Sequence, residues 1–245
     1  MIKGDVHTYD VVIDTLVYGG DGIGRLSDGR AVFVPFVLPG ERVRVRSIAE
    51  RRGHVRAELV EVLEASPERI APRCPHFGAC GGCHYQHIPY ARQLEIKTEI
   101  LREQFQRIAG IAAPPLWPMT PSPQEWHYRN SAQLHLTPEG KPGYMKPGSN
   151  QVCAIQQCYL LDPALNAVIG GLEIEPLPGL EKIELRVGSD GEILLILHSQ
   201  DPQPPEMEMD MPISVVHLGP DGPYVLAGNE SLVMEVLGRD FRLSA

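Results

Sequence analysis

The stretch Tyr18–Arg46, YGGDGIGRLSDGRAVFVPFVLPGERVRVR, consists of short apolar runs separated by glycine-containing turns. Apolar and polar residues alternate at its end, at Val43 and Val45. Several short strands at a spacing of about ten residues are typical of a small barrel. We therefore predict that residues 1–63 form a β-barrel. The turn residues are Gly19, Gly20, Asp21 and Gly22, then Asp28 and Gly29, then Pro39 and Gly40.

Arginine is concentrated toward the end of this segment. Between Glu41 and Arg56 the chain has six arginines and two acidic residues. Alternate residues of a strand project from one face, so Arg42, Arg44 and Arg46, here called the arginine stripe, are expected side by side. A solvated strand face would also tolerate them, but arginine without matching acids is typical of a surface that follows RNA phosphates. The predicted RNA-binding residues of the barrel are Arg42, Arg44, Arg46, Arg51 and Arg52.

The acidic character of the chain is confined to its C-terminal part. The 245 residues have a net charge of −9, but residues 1–63 contain nine basic and nine acidic side chains. Residues 151–245 contain four basic and fifteen acidic side chains. The overall charge therefore does not exclude an RNA partner. No apolar run approaches the ~20 residues that span a bilayer, and we expect a soluble, cytoplasmic monomer without a membrane partner.

Three of the five cysteines lie within ten residues, in the segment CPHFGACGGCHYQH (Cys74–His87). The spacing Cys74-x5-Cys80-x2-Cys83 is too tight for a disulfide framework. Three close cysteines and one distant cysteine are common in iron–sulfur sites, whereas zinc sites more often use paired C-x2-C knuckles. The glycines between the cysteines would let the loop curl so that the thiolates point inward. The segment therefore predicts a metal site, with an iron–sulfur cluster favoured.

The fourth ligand of this site has two candidates, Cys153 and Cys158. A bond to Cys158 would close a long loop, where a metal clip is expected to stabilise most. The other thiol would then be a small apolar residue. Zinc is the alternative metal, and its further candidate ligands are His76, His84 and His87.

The remaining segments predict one long helix, one short helix and two hairpins. Residues 88–110 have a helical apolar pattern that begins after Pro89 and ends at Gly110. A short helix is expected to begin at Asp162 and Pro163. The predicted hairpins lie at residues 182–197 and 231–243, and the acidic, proline-rich stretch 201–212 is expected to be a loop without chemistry. The stripe of the long helix that should face the core consists of Leu94, Leu101, Phe105 and Ile108.

Three parts of the chain resemble known families. The pattern of Tyr18–Arg46 resembles a TRAM domain, a barrel related to the OB-fold. The cysteine segment resembles the iron–sulfur segment of the RNA uracil-5-methyltransferases, C-P-x-F-G-x-C-G-G-C-x-x-Q-H followed by Y-x-x-Q-L-x-x-K. HYRNSAQLHL and GYMKPGSN resemble the central domain of that family, except that Ser131 replaces the usual lysine and Asn150 the usual histidine. The matching residues of the cysteine segment are Cys74, Pro75, Phe77, Gly78, Cys80, Gly81, Gly82, Cys83, Gln86, His87, Tyr90, Gln93, Leu94 and Lys97.

The resemblance implies a cofactor, a partner and a reaction. Cys158 stands in the C-x-L context of the family's distant ligand, and Arg129 matches the arginine of the central Y-R-N motif, an implied RNA contact. The implied partner is rRNA or tRNA. The parent enzyme would use S-adenosyl-L-methionine to methylate C5 of a uridine. The implied ligands of a 4Fe–4S cluster are Cys74, Cys80, Cys83 and Cys158.

The predicted fold is mixed β and α+β. It consists of an N-terminal OB-like β-barrel (residues 1–63), an iron–sulfur cluster loop and helix (64–110), and a central α+β domain with an antiparallel sheet (111–245). No G-x-G-x-x-G follows a predicted strand, so we expect the catalytic methyltransferase domain to be absent and the 245-residue chain alone to be inactive. We assign no catalytic residue. A free-standing RNA-binding module with a structural iron–sulfur or zinc site, and a small electron-transfer protein, are the alternatives.

Overall fold

The computed structural model describes residues 7–175, 177–206 and 211–245. Residues 1–6 of the predicted barrel domain, residue 176 and residues 207–210 of the predicted acidic loop lie outside the described residues. Over the described ranges, no helix has both the length and the apolarity needed to cross a bilayer.

The chain divides into two compact units. Met1–Gly78 and Cys83–Ser122 form unit 1, and Ala79–Gly82 and Pro123–Ala245 form unit 2. The three-part division at residues 63 and 110 stays a prediction.

A closed five-stranded barrel begins unit 1 and confirms the predicted β-barrel. Its inward side chains are mostly valines, and Val43 and Val45 are fully buried. Gly24 is needed for the tight approach of two strands, because a Cβ there would lie 2.3 Å from the carbonyl oxygen of Val12. The strands are β1 (Thr8–Leu16), β2 (Gly22–Arg25), β3 (Ala31–Val34), β4 (Arg42–Glu50) and β5 (His54–Glu64), joined in the order β1-β2-β3-β5-β4.

The predicted long helix is confirmed as α1 (Tyr90–Ala109). Pro89 precedes its first turn, and Gly110 ends it in the left-handed conformation with φ 69°. A glycine adopts this conformation without the steric cost of a Cβ, which explains the end of the helix at this residue.

The predicted buried face of α1 is wrong. The buried residues of the helix are Ile96 and Ile100, which pack with Leu16 of β1, Leu38 and Ile88. Leu101, Phe105 and Ile108 are 44%, 37% and 73% exposed. Residues turn by about 100° along a helix, so the two sets lie on roughly opposite sides. Periodicity alone pointed to the wrong side of the helix, because the residues that pack against α1 decide which side is buried.

A buried ion pair fixes the loops below the barrel. Glu41 is fully buried, and its carboxylate accepts hydrogen bonds from the amides of Leu38 (2.8 Å) and Ser66 (3.2 Å). The Arg69 guanidinium donates to both carboxylate oxygens, at 2.6 and 2.7 Å, and to the Phe36 carbonyl at 2.8 Å. The buried charge is therefore fully hydrogen-bonded, as burial requires.

Unit 2 is built on a seven-stranded sheet. One face of the sheet forms the main apolar core of the unit with helix α2 (Pro163–Gly171). The strands are β6 (Ser131–Leu136), β7 (Pro142–Met145), β8 (Val152–Ala154), β9 (Leu180–Val187), β10 (Ile193–Ser199), β11 (Ser214–Gly219) and β12 (Gly222–Ala227), in the order β12-β11-β10-β9-β6-β7-β8. A separate hairpin consists of β13 (Ser231–Val236) and β14 (Arg239–Ser244).

The sheet differs from the predicted antiparallel sheet at one position. β10 and β11 pair in parallel, whereas the other neighbours in this sheet are antiparallel. Parallel neighbours need a long connection, and residues 200–213 supply it. Both predicted hairpins, β9–β10 and β13–β14, are confirmed. The short helix is also confirmed, and its cap is the Asp162 carboxylate, which accepts from the Ala164 amide at 2.8 Å.

Candidate metal centre and nucleic-acid interface

Two of the predicted cluster ligands, Cys74 and Cys83, lie in unit 1. Both residues are hydrogen-bonded to the side chain of Gln86. The amide oxygen of Gln86 accepts a hydrogen bond from the Cys74 N–H at 3.0 Å, and its Nε2 donates to Cys83 Sγ at 3.2 Å. The intervening loop turns where the Phe77 amide donates to the Cys74 carbonyl at 3.1 Å. Gln86 therefore orients the backbone of one cysteine and the sulfur of the other.

The third predicted ligand, Cys80, lies in a short segment of unit 2 that depends on its glycines. The Gly81 amide donates to the Met145 carbonyl at 3.0 Å, and a Cβ at Gly81 would lie 2.6 Å from that oxygen. The Gly82 amide donates to Cys80 Sγ at 3.4 Å. Because any side chain at Gly81 would collide with backbone, glycine is required for this approach of the segment to β7.

Cys158, also in unit 2, is held from both sides by Asn166 of α2. The Asn166 Oδ1 accepts from the Cys158 amide at 2.8 Å, and its Nδ2 donates to the Cys158 carbonyl at 2.9 Å. The same Nδ2 also donates to the Leu161 carbonyl at 3.1 Å. The capped helix α2 thereby fixes the backbone of the cysteine that precedes it.

Tyr144 lies close to the two cysteines of unit 2. Burial raises the pKa of its hydroxyl to about 12, and the nearby thiols of Cys158 and Cys80 contribute in the same direction. Arg129 lies near enough to act in the opposite direction. Among the described residues, however, the buried Tyr144 hydroxyl has no hydrogen-bond partner of ordinary geometry. The Tyr144 hydroxyl, with Arg129 near it, therefore lies beside two of the predicted ligands.

The residues present suit a thiolate-bound cluster in their chemistry. All five cysteines are thiols rather than disulfides, and the sulfurs of Cys80 and Cys83 accept N–H hydrogen bonds of the kind that tune iron–sulfur centres. Within residues 7–175, 177–206 and 211–245, no three His, Cys, Asp or Glu side chains are arranged to hold a metal ion. The four-cysteine cluster site therefore stays a prediction. Cys153, the other candidate, lies on β8.

The histidines of the zinc alternative occupy different environments. His87 is fully buried, its Nε2 lies 3.2 Å from the Val37 carbonyl oxygen, and its ring packs against Phe77. Burial lowers its pKa to about 4. His84 is exposed and His76 is half-buried. His87 thus has a packing role in unit 1.

The arginine stripe is paired with acids on the neighbouring strands. Arg44 donates to both oxygens of Asp10 on β1, at 2.8 and 3.1 Å. These bonds hold the pKa of Asp10 below its ordinary value. Arg42 contacts Glu64 of β5 at 3.0 Å, and Arg46 is hydrogen-bonded to Glu58 of the same strand. The premise that these arginines lack matching acids is wrong, because the barrel places β4 between two strands with outward carboxylates.

The remaining predicted RNA-binding residues lie in two different environments. Arg51 and Arg52 are exposed in the turn between β4 and β5. Arg129 is half-buried in unit 2, where its amide donates to the Leu160 carbonyl at 2.8 Å. Burial alone would lower its pKa, but Tyr144 and other neighbours raise it overall. An RNA contact at any of these residues stays a prediction.

Two residues near the candidate site were missed by sequence reasoning. Asn166 is one, and nothing in its spacing marks it, because its function depends on the path of the chain between Cys158 and α2. Tyr144 is the other. It stands in the GYMKPGSN motif, so a search for polar residues within family motifs could have found it.

Comparison with known proteins is consistent with this organisation. The TRAM domain family matches residues 5–60. The 23S rRNA (uracil(1939)-C(5))-methyltransferase RlmD of Alkalilimnicola ehrlichii is 38% identical over 195 residues, which cover 74% of this chain and 43% of that protein. The uncharacterized RNA methyltransferase sll1967 of Synechocystis is 34% identical over 217 residues, covering 81% of this chain and 47% of that protein.

A solved structure shares the fold. The tRNA (uracil-54, C5)-methyltransferase of Pyrococcus abyssi, in complex with S-adenosyl-L-homocysteine, aligns with a TM-score of 0.64 and 20% identity. The alignment covers 96% of this chain and 59% of that one.

The closed barrel and the matched residues 5–60 define a protein with a TRAM domain. The chain is a homologue of the RNA uracil-5-methyltransferases. It spans about half the length of the curated relatives that it matches.

Proposed function

We propose that the chain is the RNA-binding and iron–sulfur part of an S-adenosyl-L-methionine-dependent RNA uracil-5-methyltransferase acting on rRNA or tRNA. The observation that carries the proposal is the extent of the similarity. The alignment with the A. ehrlichii enzyme, at 38% identity, covers 74% of the chain and so extends far beyond the TRAM residues 5–60. The similarity therefore includes the cysteine segment and much of unit 2, rather than a shared RNA-binding barrel alone.

In this proposal Cys74, Cys80, Cys83 and Cys158 hold a 4Fe–4S cluster. When bound, the cluster would supply covalent cross-links between distant segments of the chain, which stabilise a fold by restricting its unfolded state. The chain's own residues prepare the ligands. Gln86 and the Gly82 amide donate to sulfur, and Asn166 fixes the backbone of Cys158.

The barrel provides the RNA contact in this proposal. Arg51 and Arg52 are exposed and available to phosphates, whereas the arginine stripe would have to exchange carboxylate partners for phosphates. A uridine that is methylated at C5 must leave its stack to reach a catalytic pocket. We assign no residue of this chain to that chemical step, and we expect the 245 residues alone neither to bind S-adenosyl-L-methionine nor to methylate RNA.

Filter binding of a labelled rRNA fragment over a range of salt concentrations tests the proposal. Each phosphate contact on a single strand contributes about −0.7 to the slope of log affinity against log salt. Two to four engaged cations should therefore give a slope of about −1.4 to −2.8. Absence of RNA binding at low salt by the folded chain would refute the proposed function.

A further inference from the structure

An exposed aromatic side chain stands at the tip of a hydrogen-bonded turn in unit 1. Tyr18 is 82% exposed and lies between β1 and β2. The Gly20 amide donates to the Val17 carbonyl at 3.0 Å, and Gly19 and Gly20 have φ values of 98° and 93°. A positive φ at the third position of such a turn favours glycine. The backbone beneath Tyr18 is therefore held by a hydrogen-bonded turn, although its ring is open to solvent.

The turn packs on the segment that follows the last cysteine of the cluster loop. A Cβ placed on Gly20 would lie 3.2 Å from the His84 Cβ and 3.5 Å from the Tyr85 ring. The ammonium of Lys97, on α1, lies 5.8 Å from the centroid of the Tyr85 ring. Tyr18, His84, Tyr85 and Lys97 are here called the turn patch. Its His84 and Lys97 side chains are exposed, and Tyr85 is half-buried.

The turn patch combines the two features that single-stranded nucleic acids need. Bases stack on aromatic faces, and a nearby cation contacts the backbone. One acidic residue, Asp21, is close enough to Tyr85 to raise the pKa of its hydroxyl, although burial is the larger cause. The arginine stripe, in contrast, is already matched by Asp10, Glu58, Glu61 and Glu64.

We propose that the turn patch is a stacking site for an unpaired RNA base, with Tyr18 against the base and Lys97 near its phosphate. The inference rests on the proposed RNA binding and deepens it, because it specifies a single-stranded segment and the residues that receive it. Stacking on every base is similar, so the site selects for unpaired nucleotides rather than for a base sequence.

The test compares Tyr18→Ala with Tyr18→Trp and with the control Tyr224→Ala, another exposed tyrosine (57%) that lies on β12 of unit 2. The probes are a single-stranded RNA oligonucleotide and a blunt RNA duplex. Loss of one base stack costs about 1–3 kcal/mol, so Tyr18→Ala should weaken single-strand binding roughly 5- to 150-fold. Tyr18→Trp should retain binding, and Tyr224→Ala should have no effect.

Further measurements separate this inference from the proposed function. Tyr18→Ala should leave the salt slope and duplex affinity unchanged, whereas Lys97→Gln should make the single-strand slope shallower by about 0.7. If the wild-type chain binds single-stranded RNA and a folded Tyr18→Ala variant binds it equally well, the stacking site is refuted and the RNA-binding proposal stands. If the wild-type chain binds neither probe, both are refuted.

Discussion

Replacing Arg69 by methionine should destabilise the chain more than its position outside any regular element suggests. The substitution removes the two guanidinium hydrogen bonds to Glu41 and leaves the buried carboxylate with two backbone donors. Breaking a buried pair by removing one partner costs about 3–5 kcal/mol. Because the Arg69 side chain is 22% exposed, some water reaches the pair, and we expect the lower end, about 3 kcal/mol.

Urea denaturation followed by circular dichroism measures this loss. With slopes of about 1–3 kcal/mol/M for urea, the midpoint should fall by about 1–3 M. Arg92→Met is the matched control, since the Arg92 side chain is 23% exposed but its partners Glu68, Glu95 and Glu99 are exposed carboxylates. Exposed pairs contribute about 0–1 kcal/mol. Equal midpoints for the two variants would contradict the structural role of the Glu41–Arg69 pair.

The pH dependence of the stability of Arg69→Met tests the direction of the Glu41 pKa shift. Burial raises the pKa of Glu41, but the hydrogen bonds from Arg69 and from the backbone lower it by more. The pKa of Glu41 therefore lies below its ordinary value. The native ion pair therefore stabilises the fold above the unfolded pKa of about 4.3 and stops doing so as pH falls through the lowered native pKa. In Arg69→Met burial dominates, and the native pKa should rise. The stability gap between wild type and variant should then be narrower at pH 4 than at pH 7.

Three further predictions concern the candidate site. Cys158→Ser should abolish iron incorporation, whereas Cys153→Ser should retain it. Asn166→Leu should reduce iron incorporation, because it releases the backbone of Cys158. Iron analysis after anaerobic purification measures all three variants, and the opposite result for the two cysteines would identify Cys153 as the distant ligand. The charge reversal of Arg51 and Arg52 to glutamate should weaken binding of all RNAs about equally and flatten the salt slope, whereas an unchanged slope would exclude these arginines from the interface. Isothermal titration calorimetry of the 245-residue chain with S-adenosyl-L-methionine should give no heat of binding, and a measurable affinity would contradict the expectation that these 245 residues alone do not bind it.

The sequence predicted features whose causes are local. The glycine turns identified the barrel, and the sequence Asp162-Pro163 identified the beginning of α2, because the geometry of turns and caps depends on a few adjacent residues. The loop between Gly188 and Gly191 likewise marked the β9–β10 hairpin.

Features that depend on distant neighbours were not predictable in this way. The carboxylates that neutralise Arg44 come from β1 and β5, and their proximity follows from the closure of the barrel rather than from any spacing in β4. The prediction of the buried face of α1 was wrong for the same reason, since whether the Ile96 side or the Leu101 side is buried depends on residues of β1 and of other segments that pack against the helix. The hydrogen bonds between Asn166 and Cys158 could not be predicted either, because they depend on the folded path of the chain.

We propose above all that Cys74, Cys80, Cys83 and Cys158 hold one iron–sulfur cluster in an RNA-binding chain. The most direct measurement is the metal and acid-labile sulfide content of the anaerobically purified 245-residue chain, together with its visible absorption. We expect a brown protein with about four irons and four sulfides per chain. A colourless protein with about one zinc per chain, bound by thiolates in a tetrahedral site, would contradict it.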